Sequence, residues 1–214
     1  MKAAIFDMNG VIINDERIHQ ESWRIYCQKH GFHINEEDFK HKVFGRTEND
    51  TFSYLYNREI TPEELEQFSN ERVDTAIEIF KPQIKMTAGL QRLLEELLKE
   101  NIPIAVATSA RKRYFNFIMD ELNIRKYFIA VLTAEGIVNG KPDPEIYLKA
   151  AGELRIEPAD CLVFEDAISG IKAAKAAGMK VVGIATTHSK EELSLADTVV
   201  NNFEDVNLNF LNTV

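Results

Sequence analysis

Asp7 is the first residue whose side chain could carry out covalent chemistry, because it directly follows the apolar run at residues 3–6. Such a run predicts a strand, and open α/β sheets bind ligands at the carboxyl ends of their strands. A carboxylate at that edge can attack phosphorus as a nucleophile. Such sites usually have a second Asp two residues later to carry protons, but this chain has Asn9, whose amide cannot transfer a proton. The pair Asn9-Gly10 is also compatible with an ordinary turn after the strand.

Thr108, Ser109 and Lys141 are candidate phosphate-binding residues. The first two follow a strand-like run at residues 104–107, where hydroxyl and amide groups can donate hydrogen bonds to phosphate oxygens. They could instead cap the next helix. Lys141 lies within a Gly-Lys-Pro-Asp-Pro turn, where it could pair with a phosphate or remain a solvated surface lysine.

Glu165 and Asp166 are candidate metal ligands, since they directly follow a strand-like run at residues 161–164. Oxygen ligands of this kind suit Mg²⁺, which needs only one or two protein carboxylates in addition to a substrate phosphate. Asp166 alone could equally be a helix N-cap. Four motifs that are each ambiguous all follow predicted strands, and this combination favours one site at one edge of a sheet.

The elements that must position these residues follow a βαβ rhythm. Strand-like runs occur at residues 3–6, 104–107, 129–132, 161–164, 181–184 and 198–200. They predict a parallel sheet with helices on both faces and right-handed crossovers. The rhythm is interrupted once, by helical patterns alone at residues 16–29, 36–43, 50–56 and 62–80. We therefore predict an α/β core formed by residues 1–14 and 82–214, and an inserted helical domain formed by residues 15–81.

The composition narrows the classes of function. The chain has 214 residues, of which 45% are hydrophobic, enough for a full core and a smaller accessory domain. Its net charge of −9 disfavours nucleic acids and anionic membranes as partners. Cys27 and Cys161 are far apart and give no support for a disulfide or a zinc site. Because no signal-type apolar segment follows Met1, we expect a cytoplasmic protein, and we expect a monomer.

The combination of motifs resembles the haloacid dehalogenase superfamily of phosphohydrolases. The matching motifs are Asp7-Met8-Asn9-Gly10-Val11, Thr108-Ser109, Lys141-Pro142-Asp143-Pro144 and Glu165-Asp166. Within the superfamily, the chain is similar to the group with a helical cap after the first motif, such as β-phosphoglucomutase and small sugar-phosphate phosphatases. The resemblance extends over essentially the full length. It implies a Rossmann-like core, a Mg²⁺ cofactor and a small phosphorylated metabolite as substrate.

The resemblance also implies a role for each core motif. Asp7 would be the nucleophile and a metal ligand, and the backbone carbonyl of Asn9 would be a second ligand. Asp166 would be the third ligand, with Glu165 in or near the coordination shell. The phosphoryl group would be bound by Thr108, the Ser109 amide and Lys141.

Asn9 departs from the pattern of the superfamily and puts acid/base catalysis in question. The metal site is preserved, because the residue contributes only a backbone carbonyl to it. Three explanations compete for the amide: a substitution made to trap a bound state, a natural loss of activity, or an adaptation with another proton donor. We expect this form to have low activity.

Four residues of the inserted domain are expected to contact the substrate: His19, Arg46, Thr47 and Glu48. His19 lies four residues from Trp23, where mutase-like caps also carry a His and a Trp, although a packed or capping histidine is the alternative. The segment Gly45-Arg46-Thr47-Glu48 resembles the substrate loop of the cap. In β-phosphoglucomutase the position of Glu48 holds an Arg for a second phosphate, which a carboxylate would repel.

The function predicted from the sequence is Mg²⁺-dependent hydrolysis of a small phosphorylated metabolite through an aspartyl-phosphate on Asp7. The expected substrate is a sugar phosphate or a polyol phosphate. A phosphomutase of the β-phosphoglucomutase type is the first alternative. A catalytically silent protein that binds phosphorylated metabolites is the second.

Overall fold

The computed structural model describes residues 1–43, 46–211 and 213–214. These residues divide into two compact units, one formed by Met1–Asn14 with Ile84–Val214 and the other by Asp15–Gln83. The second boundary lies two residues beyond the one that the sequence predicts. The reason is a 3₁₀ turn at Lys81–Gln83 that continues the preceding helix, with the side-chain Nε2 of Gln83 donating to the carbonyl of Ile79 at 3.0 Å.

Among the described residues of the first unit, six strands form a parallel sheet. They are β1 (Ala3–Phe6), β2 (Ile104–Ala107), β3 (Ala130–Leu132), β4 (Cys161–Glu165), β5 (Lys180–Ile184) and β6 (Thr198–Val200). Their order across the sheet is β3-β2-β1-β4-β5-β6, and neighbouring strands are parallel throughout. Strands β1, β2 and β4 are buried along their whole length, as expected for apolar strands covered on both faces.

The second unit is helical. Its α-helices are α1 (Glu16–Lys29), α2 (Glu36–Asp38), α3 (Glu48–Tyr56) and α4 (Pro62–Phe80). Helix α4 begins with a capping box, in which Thr61 and Glu64 each bind the other's backbone amide. The helix predicted at residues 36–43 consists of α2 followed by a π-helical turn at Phe39–Val43. The core of this unit is aromatic and includes Trp23, Tyr26 and Phe52.

The sheet of the first unit is accompanied by further helices: α5 (Leu90–Lys99), α6 (Lys112–Glu121), α7 (Glu145–Leu154), α8 (Ile168–Ala176) and α9 (Leu208–Leu211). Helices α7 and α8 bury Tyr147 and Ile171 in the same core as Ile5 and Val163. No helix in the described parts of the chain is both long and apolar enough to cross a membrane.

The predicted fold class is confirmed: the chain has a Rossmann-like parallel α/β core with an inserted helical domain. Three strand boundaries differ from the sequence-based ones. Strand β3 begins at Ala130 instead of residue 129, and strand β5 begins at Lys180 instead of residue 181. Strand β4 continues through Glu165, because its pairing with β5 extends to Gly183.

Candidate active site

Asp7 is positioned by β1, which lies between β2 and β4. The Asp7 amide donates to the carbonyl of Phe164 at 3.0 Å, which continues the pairing of β1 with β4 by one residue. Below it, the Phe6 and Phe164 rings stack at a centroid distance of 4.5 Å. The carboxylate of Asp7 therefore stands at the carboxyl end of a buried strand, and the residue is only 6% exposed.

Lys141 is the buried cation of this site. Its Nζ donates to Asp7 Oδ1 and to Glu165 Oε1, each at 2.6 Å, and its side chain is 7% exposed. Burial alone would lower the pKa of Lys141, but the charges of Asp7 and Glu165 outweigh it and raise the pKa well above its ordinary value. One ammonium group is thus shared by two buried carboxylates. Lys141 is not a solvated surface lysine.

Glu165 is held by donors on both carboxylate oxygens. Oε1 accepts from Lys141 and from the hydroxyl of Tyr147, the latter at 2.9 Å, and Oε2 accepts from the Ala167 amide at 2.8 Å. The carboxylate also lies against Gly170, where an added Cβ would be 1.7 Å from Oε1. Only glycine therefore leaves room for Glu165 in this orientation.

Asp166 is a buried carboxylate in an acidic environment. Burial, followed by the charges of Glu165 and Asp7, raises the pKa of Asp166 to about 8. The carboxylate packs on Gly10, where an added Cβ would lie 1.9 Å from Asp166 Oδ2. Gly10 also has a φ of +73°, a backbone conformation that favours glycine. The loop of residues 7–10 and the end of β4 therefore meet directly.

Thr108 and Asn9 face each other across the same edge. Thr108 Oγ1 lies 3.4 Å from Asn9 Oδ1, which is long for a hydrogen bond, and accepts from the Ala110 amide at 3.0 Å. Thr108 is buried, whereas Ser109 is exposed.

The alternative roles of these residues as helix caps are not observed. Helix α6 has Arg111 at its N-cap, and helix α8 has Ala167 there, in both cases without a side-chain cap. Neither Thr108-Ser109 nor Asp166 caps a helix. The structure therefore brings together five of the predicted core residues through direct contacts, which link Asp7, Lys141 and Glu165, and separately Thr108 and Asn9.

The chemistry of the donor set suits Mg²⁺. The site has three carboxylates, from Asp7, Glu165 and Asp166, and one ammonium, from Lys141. When all four groups are ionised, their net charge is −2. Oxygen ligands with excess negative charge fit a hard divalent cation, and the raised pKa of Asp166 reflects the same crowding. Within the described ranges, no group of three or more His, Cys, Asp or Glu side chains is arranged to hold a metal. The fit therefore rests on the charge and chemistry of the carboxylates and not on a preformed cluster of ligands.

Glu48 is ion-paired inside the helical unit. Arg72 Nη2 donates to Glu48 Oε1 at 2.8 Å, and the Ser69 hydroxyl donates to Oε2 at 2.6 Å. Arg72 is buried, with its guanidinium 5.0 Å from the ring of Trp23. A carboxylate that is already neutralised repels a phosphate much less than a free one. The ion pair with Arg72 therefore weakens the expected repulsion between Glu48 and a second phosphate.

His19 is connected to Glu48 through Arg72. His19 Nδ1 lies 3.2 Å from Arg72 Nη1, and His19 Nε2 lies 3.0 Å from Asp15 Oδ2. Because a guanidinium only donates, Nδ1 accepts, and the proton on the ring is the one that Nε2 donates to Asp15. The structure therefore gives His19 a defined tautomer within a polar network.

The other two predicted cap residues make local contacts. Arg46 Nε donates to the carbonyl of His41 at 3.1 Å. The Thr47 hydroxyl accepts from the Asp50 amide at 3.1 Å and caps helix α3, which explains why this helix begins before the predicted residue 50. Gly45, the first residue of the predicted substrate loop, lies outside the described residues.

Sequence reasoning does not identify several residues that contact predicted site residues, among them Tyr147, Arg72, Thr187 and His188. Tyr147 has the pattern of a core residue on an amphipathic helix, and nothing in the sequence distinguishes its hydroxyl. Thr187 and His188 do carry a signal, because they are polar residues that follow the carboxyl end of β5.

Comparison with known proteins identifies the family of the chain. Residues 4–184 match the family described as haloacid dehalogenase-like hydrolases. A phosphorylated carbohydrates phosphatase of Thermotoga maritima is 32% identical over 180 residues, which cover 84% of this chain and 83% of that protein. A β-phosphoglucomutase of Bacillus subtilis is 32% identical over 221 residues, with 99% and 94% covered. The crystal structure of a HAD hydrolase, family IA, variant 3, from Entamoeba histolytica is 29% identical and aligns with a TM-score of 0.88, with 98% and 96% covered.

Proposed function

The chain belongs to the haloacid dehalogenase-like hydrolases, and on this basis we propose that it is a Mg²⁺-dependent phosphatase of a small phosphorylated metabolite. The observation that carries the proposal is the position of Lys141 between Asp7 and Glu165, at 2.6 Å from each. A carboxylate at the end of a central strand, next to a buried ammonium, is suited to attack an anionic phosphoryl group. The relative from Thermotoga supports a phosphorylated carbohydrate as the substrate class.

In the proposed reaction, an oxygen of Asp7 attacks phosphorus, and the bond from phosphorus to the metabolite oxygen breaks. The product on the protein is an aspartyl-phosphate. Water then attacks its phosphorus, which releases inorganic phosphate and restores the Asp7 carboxylate. The Thr108 hydroxyl, the Ser109 amide and the Lys141 ammonium bind the phosphoryl oxygens.

Asp7, Asp166 and the backbone carbonyl of Asn9 are the residues that would hold Mg²⁺. When bound, the cation supplies positive charge that neutralises the phosphoryl group and orients it. Glu165 has donors on both of its oxygens, so we assign it to the orientation of Lys141 before any role in direct coordination.

Asn9 limits the proposed reaction at its proton transfers. The leaving oxygen of the metabolite needs a proton, and the attacking water must lose one, but an amide can do neither. We propose that phosphate release by this form is slow for that reason. The phosphoryl-binding residues and the nucleophile are unaffected by the amide.

The test is steady-state phosphate release by the unaltered chain and by Asn9→Asp, under saturating Mg²⁺ and with a panel of phosphorylated sugars. We expect Asn9→Asp to be faster by about a hundredfold or more, the range for a positioned acid/base group. Asp7→Asn in the Asn9→Asp background is the control and should abolish release. Equal rates for the first two forms would refute the assignment of Asn9. A silent Asn9→Asp form that still binds phosphorylated sugars would instead identify a binding protein.

A phosphomutase is the second candidate, and the pairing of Glu48 with Arg72 favours it. Because the charge of Glu48 is compensated within its own unit, it does not oppose a bisphosphorylated intermediate. The Bacillus relative supports the same reaction class. Product analysis of the Asn9→Asp form with a sugar 1-phosphate distinguishes the two reactions, since a mutase yields an isomeric sugar phosphate and a phosphatase yields free phosphate.

A further inference from the structure

A loop outside the four sequence motifs contacts the candidate site. We call Thr186-Thr187-His188 the β5 loop, because it follows the carboxyl end of strand β5. Strand β5 pairs with β4 up to the register partners Gly183 and Glu165. The residues that follow these two strands, the β5 loop and Asp166, therefore emerge side by side at the same edge of the sheet.

Two residues of the β5 loop donate hydrogen bonds to the site, and the third lies beside its carboxylate. His188 Nδ1 donates to the backbone carbonyl of Asp166 at 3.1 Å, since a carbonyl can only accept. The Thr186 hydroxyl donates to the backbone carbonyl of Gly10. Burial is the main cause of the raised pKa of Asp166, and the nearby Thr187 hydroxyl opposes that rise. The loop thus holds the backbone of Asp166 and the glycine against which its side chain packs.

These contacts matter because the Asp166 carboxylate lies in a repulsive environment. It is buried beside two other acids, Glu165 and Asp7, which repel it when all three are ionised. The hydrogen bonds to the Asp166 backbone and to Gly10 restrict where the carboxylate can lie despite that repulsion. The neighbouring threonine hydroxyl carries no charge and so leaves the negative charge of the site available to a cation.

We infer that the β5 loop positions Asp166 for cation binding, with His188 fixing the backbone of Asp166 and Thr187 adding a hydroxyl beside its carboxylate. Both are positioning residues, because they act through Asp166. The inference rests on the proposed function, in which Asp166 is a ligand of Mg²⁺. Partners of metal ligands in proteins commonly contribute ten- to a hundredfold, roughly, to metal affinity.

Calorimetric titration of the full chain with MgCl₂, without any phosphorylated compound, tests this inference separately from turnover. Thr187→Val keeps the shape of the side chain and removes the hydroxyl, and we expect it to raise the dissociation constant for Mg²⁺ about tenfold or more. Thr187→Ser keeps the hydroxyl and should bind Mg²⁺ like the unaltered chain. Thr75→Val is the matched control, since its hydroxyl donates to the carbonyl of Glu71 within the helical unit.

Circular dichroism in EDTA establishes that each variant is folded, and if Thr187→Val is not, His188→Leu takes its place in the titration. Wild-type affinity in a folded Thr187→Val or His188→Leu variant would overturn the inference and leave the proposed function intact. Absence of Mg²⁺ binding by the unaltered chain would overturn both. Phosphate release measured on the Asn9→Asp form then decides whether any phosphatase activity survives without the cation.

Discussion

Replacing Lys141 by Met should destabilise the α/β unit by about 3 to 5 kcal/mol, because it leaves two buried carboxylates without their cation. Met keeps the length of the side chain and removes the ammonium. At 2.6 Å and an effective dielectric constant of about 20, Coulomb's law gives roughly 6 kcal/mol for each of the pairs with Asp7 and Glu165. Desolvation of the ammonium offsets a large part of this sum, which is why the expected net loss is smaller.

The free energy of unfolding should be measured by urea denaturation at neutral pH in EDTA, so that no divalent cation replaces the lost charge. Far-UV circular dichroism is the appropriate probe. The single tryptophan, Trp23, lies in the helical unit and reports on that unit instead.

Two further variants make the measurement specific. Lys149→Met removes a lysine that pairs with Glu145 at 2.5 Å on the surface of α7, and it should cost less than about 1 kcal/mol. In a Glu165→Gln background, Lys141→Met should cost less than it does alone, because one of the two carboxylates is then neutral. If Lys141→Met were no more destabilising than Lys149→Met, the ammonium would not be the element that holds the two acids together.

Two other perturbations test the structure. At Gly170 an added Cβ would lie 1.7 Å from a carboxylate oxygen of the site, so Gly170→Ala should cost about 1 to 3 kcal/mol in thermal unfolding, whereas Gly152→Ala, with open space around it in α7, should be neutral or stabilising. Equal melting temperatures for the two variants would contradict the packing. Hydrogen bonds from Arg58, and then the Thr61 amide, lower the pKa of Glu64 from 4.5 to about 2, so its stabilisation is present above pH 4.5 and is lost as the pH falls towards 2. Glu64→Gln should therefore flatten the acid-induced loss of stability in this window, followed by Trp23 fluorescence, and an unchanged pH profile would count against the capping interaction.

The α/β framework and the motifs on it could be predicted because both follow from local sequence. A short apolar run with polar residues after it identifies a strand and its carboxyl end, and a parallel sheet brings such ends to one edge. Asp7, Thr108 and Asp166 are all placed by this rule. No alignment of distant parts of the chain is needed for it.

The contacts of long side chains could not be predicted in the same way. Arg72 lies on a helix 24 residues from Glu48, and helical spacing alone gives no reason for these two to meet. Because helical spacing does not reveal the pair with Arg72, the sequence predicts an uncompensated negative charge at Glu48. The end of the inserted helical domain is also predicted two residues too early, because the 3₁₀ turn that extends α4 has no apolar periodicity of its own.

The distribution of charge separates the role of Asn9 from the stability of the site. Lys141 compensates Asp7 and Glu165 through direct ion pairs, and Asn9 lies instead beside the hydroxyl of Thr108. An Asp at position 9 would add a fourth carboxylate to an edge that already has three for one ammonium. We therefore expect the amide to relieve repulsion at the position where the proposed reaction needs a proton carrier, and so to favour the fold at the expense of turnover. For Asn9→Asp we expect the free energy of unfolding to fall and the rate of phosphate release to rise. Binding of a divalent cation would offset the loss of stability.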